Sequence, residues 1–267
     1  MSTVGVYLRL IRLQVRSQAQ YRAGFLLSVA GTFLFTTLDF AAILVLFHNV
    51  QSVGGWSAAQ VCLLYASAAL SYAIADMVLG SLDTLPQLVR DGTFDSLLMR
   101  PRSAFFQLLA SDFMFRRCGR LLQAAIVLAV LLCGGFLHVA WTPARAAVLL
   151  SAVLGGAVIL GSVWVVGACI SFLVDGAGEF VNTFSTGTQF LAQYPLDIYS
   201  SWLRQLVTFV IPVGFVSYGP VAYVLGKDVG WEANTAVFLP ALVALASSAA
   251  ATAVWQTSIR RYRSAGG

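Results

Sequence analysis

The sequence predicts an all-α integral membrane protein with six transmembrane helices, and three observations carry that prediction. Of 267 residues, 59% are hydrophobic and only 10% charged, far below the roughly one quarter charged residues of a soluble domain, and the mean hydropathy is +0.82. Apolar runs with at most one charge recur along the chain at about the 20-residue length that crosses a bilayer. The basic residues, 15 Arg and Lys227 among the 16, gather beside the apolar runs. This composition excludes an ordinary soluble enzyme, and the pattern fits a membrane surface better than a nucleic acid.

The elements follow in order. Over residues 1–23, Arg9, Arg12 and Arg16 share one helical face and Leu8, Ile11 and Val15 another. That is the signature of an amphipathic helix at the inner membrane surface, with a simple topogenic anchor as the alternative. The first span is expected over Phe25–Phe47, with Asp39 as its only charge, and the second over Ala58–Leu79, with Asp76 near its end. A polar loop over 81–117 follows. Leu121–Leu137 and Ala146–Val174 are the third and fourth spans, and the shorter, more polar stretch Phe180–Tyr194 is the fifth. Leu206–Leu225 and Ala233–Ile259 are also apolar, giving seven candidates.

The positive charges choose among them. Arg9, Arg12, Arg16 and Arg22 precede the first span; Arg90, Arg100, Arg102, Arg116, Arg117 and Arg120 lie between the second and third; Arg260, Arg261 and Arg263 follow the last. Six crossings put all of these on the cytoplasmic side with both termini, leaving Arg145, Arg204 and Lys227 outside. The segment expected not to cross is Leu206–Leu225, because Pro212, Gly214, Gly219 and Pro220 would free backbone groups that lipid cannot satisfy. A re-entrant hairpin within an outer region, 195–232, is predicted, serving as a lid or as a packed plug.

Four groups of residues are candidates for function. Asp39 lies deep in the first span, where a carboxylate is costly and usually meets a partner or a water-filled cavity; it is protonated, paired with an Arg of a neighbouring chain, or placed to attract a cationic substrate. Asn182, Thr186, Gln189 and Gln193 recur at helical spacing and stack on one face of the fifth span, which is expected to point inward and either lines a route or bonds neighbouring helices. In the long loop, Asp91-Gly92 is a turn signal and Arg100-Pro101 a break. Between them, Thr93–Met99 should form a short element with an apolar side, Phe94, Leu97 and Leu98, and a charged edge with Asp95, which together with the flanking Arg90, Asp91, Gly92, Arg100 and Pro101 is suited to docking on another protein. On the fourth span, Ser151/Gly155, Ala152/Gly156 and Ala157/Gly161 favour close helix contact. The four cysteines lack the spacing of a zinc or redox site.

Gly92, Thr93, Asp95, Leu97, Leu98, Pro101 and Ser103 resemble the loop after the second span of ABC-2 type permeases, the membrane subunits of one class of ATP-binding-cassette exporter. Tyr194-Pro195-Leu196-Asp197-Ile198-Tyr199, with Phe209-Val210-Ile211-Pro212 and Tyr218-Gly219-Pro220, is similar to the Pro-rich outer hairpin of a small six-span branch, making Tyr194, Pro195, Pro212, Tyr218 and Pro220 outer-gate candidates. The resemblance implies ATP-driven export by alternating access, a bacterial inner-membrane location, separate ATPase subunits carrying ATP and Mg, and a second permease copy or homologous subunit. Lys227 is the sole lysine and no Gly-x-x-x-x-Gly-Lys-Ser/Thr loop occurs, so no cofactor is assigned to this chain and the motor is expected to be another polypeptide. An apolar bundle with one polar face suggests an amphiphilic or hydrophobic cargo. A non-ABC channel or structural membrane partner is the alternative, although no selectivity-filter sequence appears. His48 and His138, without a Gly-x-Ser-x-Gly turn, give little ground for intramembrane hydrolysis.

Overall fold

A computed structural model describes residues 22–111, 117–137, 139–174, 177–227 and 238–262. The expected N-terminal amphipathic helix lies almost wholly outside the described residues. Among them, the chain is helical apart from turns and an isolated bridge between Val53 and Trp56.

Eleven α-helices are numbered here: α1 (Arg22–Asn49), α2 (Ala58–Leu79), α3 (Leu85–Arg90), α4 (Phe94–Leu98), α5 (Ala104–Ser111), α6 (Cys118–Cys133), α7 (Pro143–Cys169), α8 (Gly178–Gln193), α9 (Ser201–Gln205), α10 (Tyr218–Val224) and α11 (Leu239–Arg261). Four are long and apolar enough to cross a bilayer: α1, α2 with its continuation to Arg90, α7 with its last turn to Phe172, and α11. A bent pair, Ser201–Val210 and Val213–Val224, adds a fifth candidate if taken as one span. Helices α6 and α8 have 16 residues each, about 24 Å of helix, which is less than the hydrocarbon thickness of about 30 Å.

Helix α2 is the central post. It packs against α6, α7 and α8, while α7 also carries α11, and α1 rests mainly on α6. Small residues permit these approaches. A side chain at Gly156 would run into Ser71 of α2 and Val216, and one at Gly155 into the Pro240 carbonyl of α11. At Gly119 the obstacle would be the backbone of α1. The α7 pairs read from the sequence therefore lie at helix contacts. The outer surface of α1 remains uncovered, with Leu26, Leu27, Leu34, Phe35 and Leu38 all exposed.

The proline-rich segment breaks where its sequence predicts. A π-turn over Leu206–Val210 ends at Pro212, which has no N–H to donate, and the two halves are bent by 77°. Gly214 sits in the elbow, where a Cβ would lie 2.9 Å from the Thr208 hydroxyl.

Candidate transport site

Four groups of polar or aromatic residues occupy different parts of the bundle. The first joins α2 to α6. Asp76 is buried in the last turn of α2, its side chain 7% exposed, and is paired with Arg117 and, at 3.2 Å, with Arg120. Arg117 also reaches Asp83 at 3.3 Å and the Asp76 carbonyl at 3.0 Å. Gly80 makes room for this guanidinium, since any Cβ there would overlap it. Arg120 in turn lies 4.9 Å from the Tyr72 ring centre, and Tyr72 stacks on Trp164 of α7. The sequence suggested only topogenic charge for Arg117 and Arg120; standing three residues apart, both reach Asp76 on the α2-facing side of α6, a clue available only once the partner helix is known.

Deeper along the same seam, Tyr65 donates its hydroxyl to the Thr36 carbonyl of α1 at 3.1 Å, beside the buried amide of Gln123. Asp39 is half-buried, and Arg120, Tyr65 and Tyr194 all lie within its electrostatic reach. A string of polar groups thus runs along α1, α2 and α6 from Asp39 towards Asp83.

The polar stripe on α8 lies beside the inward face and changes exposure along its length. Val181, Ser185, Thr188 and Ala192 turn into the bundle. One step round the helix, Asn182 is exposed, Thr186 and Gln189 are half-buried and Gln193 is buried. Ser185 and Thr188 are satisfied within their own helix, by the carbonyls of Asn182 and Phe184, so they need no partner across the bundle.

At one end of the bundle, the end the sequence assigned to the outside, lies a network centred on Asp197. Its carboxylate accepts the indole N–H of buried Trp56 at 2.8 Å, the hydroxyl of Tyr218 at 2.8 Å and a bond from Arg204 at 3.1 Å. Lys227 lies 4.3 Å from the Trp56 ring centre and donates to the Gly55 carbonyl. Among the gate candidates, Tyr218 is in this network, Pro195 and Pro220 are buried behind it, and Tyr194 and Pro212 are half-buried. The sequence placed Asp197 in the outer motif and Arg204 and Lys227 among the outside charges, but gave no sign that they meet Trp56, because the contacts that join them to the Trp56 loop span 141 and 172 residues. Replacing Asp197 by Ala should loosen this end by about 2 kcal/mol, the usual worth of bonds to a charged group. Limited proteolysis should then cut residues 196–227 faster; unchanged cleavage would show that the network does not hold the hairpin.

At the opposite end, residues 80–111, which follow α2, fold onto the bundle. Phe94 is fully buried, with its ring 5.1 Å from that of Phe172, which follows α7, and 5.3 Å from that of Tyr262, which follows α11. The Tyr262 hydroxyl faces Asp95, and burial together with that carboxylate raises the phenol pKa. Leu97 is half-buried. Arg90 and Asp91 are exposed and pair with each other at 3.6 Å, Gly92 takes the positive φ of +69° that its turn requires, and Thr93, Arg100 and Pro101 are exposed. Leu98 is 41% and Met99 86% exposed, so the apolar surface this segment presents outward centres on Leu98 and Met99.

The model of the ABC-2 family transporter proteins matches residues 33–266. The chain belongs to this family. Its members are membrane components of ABC transporters and work with ATP-binding subunits; this chain is accordingly a multi-pass membrane permease. No curated protein and no solved structure gives a significant match. Among the described residues, no group of three His, Cys, Asp or Glu side chains is arranged to hold a metal ion.

Proposed function

We propose that this chain is the membrane-spanning half of an ATP-driven exporter, moving an amphiphilic or hydrophobic compound out of the cytoplasm by alternating access. ATP and Mg act on separate ATPase subunits, and a second permease, identical or homologous, completes the transporter. The observation that carries this reading is the segment between α2 and α6. Phe94 ties it to the ends of α7 and α11, whereas Met99 and Arg100 face outward. A subunit pressing on the exposed side would therefore move the ends of two spans through one buried aromatic contact.

Other features support the same reading. The uncovered apolar face of α1 is suited to a second permease. The six-crossing topology in the bacterial inner membrane, with cytoplasmic termini, counts α6 and α8 as short spans and the bent pair as a re-entrant outer hairpin. Asp39 and the α8 stripe of Asn182, Thr186, Gln189 and Gln193 border the proposed route, and the Asp197 network closes its outer end.

The test is capture of the motor. An ATPase without membrane spans should co-purify with the chain, and Met99→Asp combined with Arg100→Glu should lower its association at least tenfold, because a carboxylate would be driven into an apolar contact without a partner. Unchanged association and transport would remove this segment from the docking surface.

A further inference from the structure

A groove of about 970 Å³ opens between α2, α7 and α11, away from the Asp39 seam and the α8 stripe. Its walls are apolar: Val78 and Leu79 from α2, Leu154 and Val158 from α7, Trp255 and Ile259 from α11. Small residues, including Ala75, Ala157 and Ser248, keep it open. The segment Leu98–Phe105 forms its floor, and Arg102 and Arg260, both exposed, line it at that end. No carboxylate is among the lining residues.

We infer that this groove binds an anionic phospholipid from the leaflet beside the coupling segment, with an acyl chain along the walls and the phosphate between Arg102 and Arg260. Three features select this occupant. The wall residues on α7 run from Leu154 to Val165 and those on α11 from Ser248 to Arg260, a length of about 16–18 Å at the helical rise. That is about half the hydrocarbon thickness of a bilayer, the depth of one leaflet. The two guanidiniums sit at one end of the groove, in the last turn of α11 and just before α5, at the level where a span ends and headgroups begin. A second copy of the chain docked groove to groove about a two-fold axis would bring the same cations together, which disfavours that occupant.

Chemistry predicts where selectivity resides. An acyl chain leaves one apolar medium for another on entering the groove and gains little, so choice among lipids rests on the headgroup. Each arginine near an anionic headgroup is worth about fivefold in binding, and the pair together tenfold or more. Occupancy also fills the space between the coupling segment and α11, so the lipid becomes part of the packing that links them.

Trp255 lines the groove and reports on it. The purified chain is reconstituted into phosphatidylcholine vesicles containing a low, equal mole fraction of brominated phosphatidylglycerol or brominated phosphatidylcholine, alongside Trp255→Phe to isolate that indole's fluorescence. The expected result is at least tenfold tighter apparent association of the brominated phosphatidylglycerol with the Trp255 site. The preference should disappear in Arg102→Gln/Arg260→Gln and shrink in the unaltered chain as salt rises, because exposed charges are screened. Equal quenching by the two lipids, or a preference that survives both the double substitution and high salt, overturns the inference.

Discussion

Asp76→Asn is expected to destabilise the chain by about 3–5 kcal/mol, the range for removing one partner of a buried ion pair. The loss should appear as a fall of roughly 10 °C or more in the thermal midpoint of the detergent-solubilised protein. The physical cause is that Arg117 and Arg120, with side chains only 15% and 22% exposed, would keep their charge where bulk water does not replace Asp76, and the half-exposed Asp83 beside Arg117 compensates only one of them in part. Helices α2 and α6 would then be held by apolar packing while two guanidiniums pull towards the membrane surface. The paired change Asp76→Asn with Arg117→Gln removes one of those stranded charges and should recover part of the loss. A double variant as unstable as the sum of its single variants would show that Asp76 and Arg117 act independently, contrary to their direct contact.

Phe94→Ala carries the second large effect. Deleting a fully buried aromatic ring typically costs about 3–5 kcal/mol, and here the ring joins three pieces of chain that are distant in sequence. The spans themselves should survive, since Phe94 lies in a five-residue helix at the end of the bundle. What should fail is transmission: ATP hydrolysis by the assembled transporter should continue while transport falls at least tenfold, and protease should cleave near Arg100–Arg102 sooner. Phe94→Leu, which retains much of the apolar volume, should fall between the two. Equal loss of hydrolysis and transport in Phe94→Ala would assign the residue to assembly instead of coupling.

The legible part of this protein was the part written in local pattern. Run length and charge segregation exposed the long helices, and Pro212 with Gly214 marked the bend, because a missing N–H and a missing Cβ act on the residues immediately around them. The Asp-Gly turn before Phe94 was legible for the same reason. Periodicity on α8 grouped four polar residues on one face and expected that face to point inward, but of the four only Gln193 is buried; the inward face is set by Phe184 fitting against Gly167 of α7 and by Val181 and Ala192 entering the core. Phe94 likewise read as one apolar residue in an outward-facing set, and only Phe172 and Tyr262, from two other parts of the chain, give it a place inside. The pairing of Asp197 with Trp56 carried no signal, since a hydrogen bond across 141 residues leaves neighbouring sequence unchanged.

The salt bridge between Asp76 and Arg117 has a mechanical consequence. It fastens the two stems of the segment that contains α3, α4 and α5, so that segment is a closed ring instead of a slack strap hung between two helices. A strap absorbs a push by letting its ends slide apart. A ring fastened at its base cannot, and a load applied to its far side must turn both stems together as a single crank, with Gly80 as the notch into which the Arg117 pin is seated.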